Sequence, residues 1–95
     1  MSSKRIILDY EIGNGSVRMP IDAIILSVGI EGNKPVIHAL VDPKTPEIVR
    51  EFILMGTGDA FDTMSPEKVY IGTITRSGHF DHGSYVQHIF EVILK

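Results

Sequence analysis

Four histidines are the side chains of this sequence with the widest chemical reach, and two of them fall beside a carboxylate in His79, Asp81 and His82. Two imidazoles and one carboxylate offer nitrogen and oxygen donors to zinc or another divalent ion, with His38 or His88 as a further ligand. The order His-x-Asp-His matches no standard ligand spacing, and the stretch runs between Gly78 and Gly83, so it would have to order on binding. The competing reading is a polar hairpin loop in which Asp81 serves the turn. His88, between Val86 and Phe90, reads as a core histidine bonded to backbone or to a hydroxyl such as that of Tyr70 or Tyr85. Burial would also suit it to act as a general base or pH-sensitive group, but no nucleophile accompanies it. His38 lies cross-strand from Ser27, a Ser-His pair without the glycine elbow of an oxyanion hole. Gly56-Thr57-Gly58-Asp59 is like part of a phosphate loop but lacks the third glycine, the lysine and the helix, so a strand end is the better reading. Glu47, Glu51, Asp59 and Asp62 form no close pair. No catalytic set emerges, and neither an enzyme activity nor a resident cofactor is expected.

The elements that must position these groups are strands. Ala23 to Asp42 reads as two apolar, β-branched runs joined by Gly32-Asn33, a hairpin signal in which glycine supplies positive φ. A two-residue turn there places Glu31 opposite Lys34, Val28 opposite Ile37, Leu26 opposite Ala39 and Ile24 opposite Val41. Ile24, Leu26, Val28, Ile37, Ala39 and Val41 then form a core face. The opposite side, with Ile25, Val36 and Leu40, is also apolar, so this hairpin is central and covered twice or keeps one face for a partner. Arg5 to Ile12 alternates with Ile6, Leu8, Tyr10 and Ile12 on one face. Val17, Met19 and Ile21 suit a short return strand that Pro20 confines to an edge or ends. From Thr45 onward, Thr-Pro-Glu is a legitimate helix start, whereas Phe52 to Met55 before Gly56 suits a strand, and periodicity alone leaves both open. Lys68 to Thr75 and Tyr85 to Leu94 alternate as strands. The expected fold is one all-β domain over residues 1–95: a small antiparallel meander sandwich or partly open barrel of about five to six strands.

Ninety-five residues, 43% apolar and 22% charged, suit a single modest core. A net charge of -3 supplies no basic patch for nucleic acid. The absence of cysteine removes disulfides and thiolate chemistry. No apolar run has signal-peptide or membrane-spanning length, so a soluble intracellular protein is expected.

The strings Ile25 to Val28 (ILSV), Ala39 to Asp42 (ALVD), Gly56 to Gly58 (GTG), Tyr70 to Thr73 (YIGT) and His88 to Glu91 (HIFE) occur in an order that resembles a family of short, uncharacterised tailed-bacteriophage proteins. The resemblance covers about Leu8 to Glu91. It implies a strand before the GTG string, which favours strand from about Val49 to Gly56. It also implies a phage or prophage origin and action in the cytoplasm of the bacterial host. The histidine-rich loop departs from the family pattern, and the family supplies no catalytic residues. The functional expectation is a small accessory protein that binds a host, defence or phage protein, with Ile25, Val36, Leu40, Tyr70, Phe80 and Tyr85 as contact residues and Phe61 and Met64 as further anchors. A metal or ligand binder using the His79 to His82 loop and a virion or assembly component are the alternatives. A homo-oligomer is compatible with each.

Overall fold

The computed structural model describes residues 4–60, 62, 66–77 and 84–93, and nothing below concerns the others. Seven strands follow in order: β1 (Ile6–Glu11), β2 (Ser16–Pro20), β3 (Ile24–Glu31), β4 (Lys34–Val41), β5 (Glu47–Gly56), β6 (Glu67–Ser77) and β7 (Ser84–Ile93). They build two antiparallel sheets, ordered β1-β4-β3 and β2-β5-β7-β6. The all-β antiparallel sandwich is the expected class. The finer connectivity is less local than a meander, because β1 crosses to β4 and β2 to β5, leaving β3-β4 and β6-β7 as the paired chain neighbours. The Thr45-Pro46-Glu47 helix start is overruled: β5 is a ten-residue strand, since its backbone is claimed on both sides by β2 and β7.

The β3-β4 turn is as expected and more constrained. Gly32 and Asn33 both have positive φ, 57° and 62°, the pattern of a two-residue turn whose twist matches its strands. Asn33 is also a fastener. Its Oδ1 accepts from the Ser77 amide at 3.2 Å, and its carbonyl accepts from Arg76 at 3.0 Å, tying the hairpin tip to β6 in the other sheet.

The expected register holds from Glu31–Lys34 to Ser27–His38 and then breaks. Leu26 is an extra residue, so Ile25 pairs with Ala39 and Ile24 with Leu40. A single bulge exchanges the faces of everything beyond it. Ile25 therefore packs toward the core, while Ile24 and Leu26, both expected inside, are each 50% exposed. A second bulge lies between Tyr70 and Gly72 in β6. These two bulged strands meet across the sandwich, where a Cβ on Gly72 would lie 2.4 Å from a Val28 methyl. Bulges bend and twist the strands that carry them, and here Gly72 and Val28, each beside one of the bulges, come into close approach.

The core between the sheets holds Ile37, Ala39 and Val41 from one layer against Val17, Met19, Phe52, Ile74 and Ile89 from the other, with Ile12 and Ala23 from the connections. One ion pair belongs to this inner layer. Arg50 donates to both Glu91 oxygens at 2.7 Å and to the Ala23 carbonyl at 2.8 Å, with the two side chains only 19% and 13% exposed. Arg50 shares its face with Phe52, and Glu91 shares its face with Ile89.

Candidate functional site

Sandwich geometry leaves two outward faces, and each carries one of the described histidines. On the three-stranded sheet, the register sets Asp9, His38 and Ser27 in one row and Glu11, Val36 and Gly29 in the next. His38 Nδ1 lies 2.6 Å from Asp9 Oδ1. Its Nε2 leans over Gly29, where any Cβ would come within 2.7 Å, so glycine leaves the space that the ring occupies. His38 thus stands beside Val36, which is only 1% exposed although it faces outward.

The hydrogen bond from His38 holds the Asp9 carboxyl below its ordinary value, with a further lowering from a hydrogen bond to Glu31. The Glu31 carboxyl is raised in turn, chiefly by that hydrogen bond with Asp9 and then by the charge of Asp9. Linkage fixes the signs. The Asp9 contribution to stability is present above its unfolded value and is lost as pH falls through its lowered folded value. The Glu31 contribution is present below its unfolded value and is lost as pH rises through its raised folded value. Glu31→Gln keeps a donor toward Asp9 but cannot ionise. It should gain stability relative to wild type as pH rises across the Glu31 titration, read from urea midpoints at successive pH values.

The four-stranded sheet presents a broader face. Cross-strand pairing aligns Ile53, Phe90 and Tyr70 in one row, and Met55, His88 and Thr73 in the next. Val86 and Thr75 extend it at one end, and Glu51, Val92 and Lys68 form a more polar row at the other. Tyr70 is 55% exposed and meets Phe90 edge to face at 5.6 Å between ring centres. Its hydroxyl hydrogen-bonds Thr73 Oγ1, which lies 2.9 Å from His88 Nδ1. That chain orients the imidazole and fixes the Tyr70 ring on the surface.

The expected site residues fall in different places. Ile25 faces the core, and Val36 faces outward but is buried, so neither offers surface to a partner. Leu40 is on the outward face of the three-stranded sheet, half-buried beside Ile7 and Ile24. The second apolar face built from Ile25, Val36 and Leu40 together is thus replaced by one containing Ile7, Ile24 and Leu40, because of the bulge at Leu26. Tyr70 is exposed on the four-stranded face, whereas Tyr85 lies under the Arg76 guanidinium at 5.8 Å from its ring centre. His79, Phe80, Asp81 and His82, and the anchors Phe61 and Met64, lie outside the described residues.

His88 is not a core histidine: the face it shares with Val86 and Phe90 is the outer one, while Ile89 fills the core. It does bond to a hydroxyl, that of Thr73. His38 and His88 stand on opposite outer faces, so they cannot converge on one ligand. Among the described residues no group of three or more metal-ligating side chains is placed to hold an ion.

Sequence reasoning missed Asp9, Glu31, Arg50 and Glu91. For Arg50 a signal existed, since alternation puts it with Ile48, Phe52 and Leu54 on an otherwise apolar strand face. Glu91 carries the same signal between Ile89 and Ile93. For Asp9 and Glu31 there was none, because their meeting depends on β1 and β3 flanking β4.

Residues 4–95 match a protein family described as a domain of unknown function, DUF7352. No curated protein and no solved structure matches the chain.

Proposed function

The chain belongs to the DUF7352 family, and we propose that it acts as a protein-binding module, a small phage-encoded accessory protein that occupies a surface of a host, defence or phage protein. The observation that carries this reading is the outward face of the four-stranded sheet. Tyr70, Val86 and Val49 are exposed there around half-buried Ile53, Met55, Phe90 and Val92. An apolar centre with an aromatic anchor and a polar rim of Glu51, Ser16 and Lys68 is the anatomy of a recognition surface. Serine and glutamate are already paired at that rim, at 2.8 and 2.9 Å, so the polar edge is ordered before any partner arrives. The phage origin and the bacterial cytoplasm rest on the ordered ILSV, ALVD, GTG, YIGT and HIFE strings.

Affinity capture from bacterial cells, with wild type and two variants, tests the reading. Tyr70→Asp should abolish near-stoichiometric capture of the partner by setting a charge in the apolar centre. Ile24→Asp, on the opposite outer face, should leave capture intact. Equal capture by wild type and Tyr70→Asp, or no stoichiometric partner in several hosts, would overturn the assignment.

A further inference from the structure

A sandwich has four edge strands, and three of them here are obstructed. β2 is five residues long and ends in Pro20. β3 carries the bulge at Leu26, and β6 carries one before Gly72 and is tied at Ser77 to Asn33. Such features keep sheet edges from recruiting further strands. β1 has no proline, glycine or bulge, and it exposes three consecutive large apolar residues, Ile6, Ile7 and Leu8, at 45%, 61% and 39%. Ile6 and Leu8 lie on the inward side with Tyr10, yet the edge leaves them partly bare.

The backbone of β1 fixes which residues can pair outward. Ile12 N–H donates to the carbonyl of Pro35, its direct partner in the β1-β4 register, at 3.1 Å. Hydrogen-bonded pairs alternate along an antiparallel ladder, so Tyr10, Leu8 and Ile6 also turn their amides and carbonyls toward β4. Arg5, Ile7, Asp9 and Glu11 turn theirs to the free edge. Among the described residues no backbone bond outside the strand ladders involves Arg5, Ile7 or Asp9.

We propose that the free edge of β1 pairs antiparallel with β1 of a second copy of this chain, about a two-fold axis at Ile7, to make one continuous six-stranded sheet. Charge and parity select that register: Arg5, which gives Nη1 and Nη2 to Asp22, keeps its Nε donor, and Asp9, which meets His38 through Oδ1, keeps its other oxygen. Centred on Ile7, the register sets Ile7 against Ile7, Ile6 against Leu8, and Arg5 against Asp9 of the other copy, twice by symmetry. Every outward-directed backbone group from Arg5 to Asp9 then has a partner of the right kind, about six hydrogen bonds in all. Centring on Leu8 would also pair Arg5 with Glu11 but would set Ile7 against Asp9, and centring on Asp9 would oppose like charges. The chosen register also covers Ile6 and Leu8 with each other, extending the core layer across the axis.

Sedimentation equilibrium over a range of concentrations tests this. Wild type should reach twice the 10.5 kDa of the chain. Ile7→Pro removes an N–H that points away from β4, so it should leave the circular dichroism spectrum unchanged and give monomer only. Arg5→Asp and Asp9→Arg should each be monomeric alone and associate when mixed, because mixing restores opposite charges at both pairs. Should Ile7→Pro fail to fold, the charge variants decide. A wild-type monomer at every concentration, association by either single charge variant alone, or no association on mixing would overturn the proposal. So would a dimer that survives Arg5→Asp and is lost in Tyr70→Asp, since the contact would then be the four-stranded face.

Discussion

Arg50→Met should lower folding stability by about 2 kcal/mol, less than the roughly 3–5 kcal/mol that removing one partner from a fully buried ion pair costs, because this pair is part-buried. The size of the effect distinguishes two roles. An exposed pair would contribute about 0–1 kcal/mol, and its loss would be hard to detect. Here the Glu91 carboxylate is 13% exposed and accepts both short bonds from one guanidinium, so deleting Arg50 strands a charge at the end of the core. The Ala23 carbonyl loses its donor as well. Urea unfolding should show the midpoint fall with little change in slope. Replacing both partners, Arg50→Met with Glu91→Leu, should recover much of the loss, because the cost lies in the unpaired charge rather than in the missing attraction. A single variant within 1 kcal/mol of wild type would place the pair among ordinary surface contacts.

Gly72→Ala should be destabilising by about 2 kcal/mol, within the range for overpacking. Exchanging glycine for alanine at a compatible position gains about 0.4–1 kcal/mol by restricting the unfolded chain. At Gly72 the steric term is larger, because the new Cβ would lie 2.4 Å from one Val28 methyl with two further Val28 carbons at 3.4 and 3.5 Å. Valine is branched at Cβ and cannot swing one methyl away without turning the other in. The two sheets would have to separate where Gly72 meets Val28. Val28→Ala should therefore rescue part of the defect, and the double-mutant cycle should show coupling of about 1 kcal/mol or more. Additive effects would mean that the backbone of β6 absorbs the extra carbon instead.

Much of the architecture was legible because alternation and turn chemistry are local. Arg5 to Ile12 presented Ile6, Leu8, Tyr10 and Ile12 as one face, and the register with β4 keeps them together. Pro20 marked β2 as an edge strand or its end, and β2 is both at an edge and ended there, while Gly32-Asn33 marked the hairpin turn. The helix start at Thr45 was a fair local signal that lost to pairing with β2 and β7, which no window of sequence contains. The bulges were not legible either. A bulge inserts one residue without changing composition or spacing in any distinctive way, yet it reverses the faces beyond it. That single event moved Ile25 inward and Ile24 and Leu26 outward, and so redrew the partner surface expected around Ile25, Val36 and Leu40.

By itself the sequence determined an all-β antiparallel domain, the strand segments and the principal turns, since each depends on residues within a few positions of one another. Tertiary structure decided which apolar face of each strand is core. His88 and Phe90 are outward and Ile89 inward because β7 lies between β5 and β6 with Gly72 opposite Ile89. It also decided that β1 flanks β4, which brings Asp9 to His38 and leaves Ile7 on a free edge. Faces and edges are properties of strand order, and strand order is set by contacts between residues far apart in the chain. By sequence alone the histidines are possible ligands. What the fold makes of His38 and His88 is two separately oriented side chains on opposite outer faces, each fixed by a cross-strand neighbour.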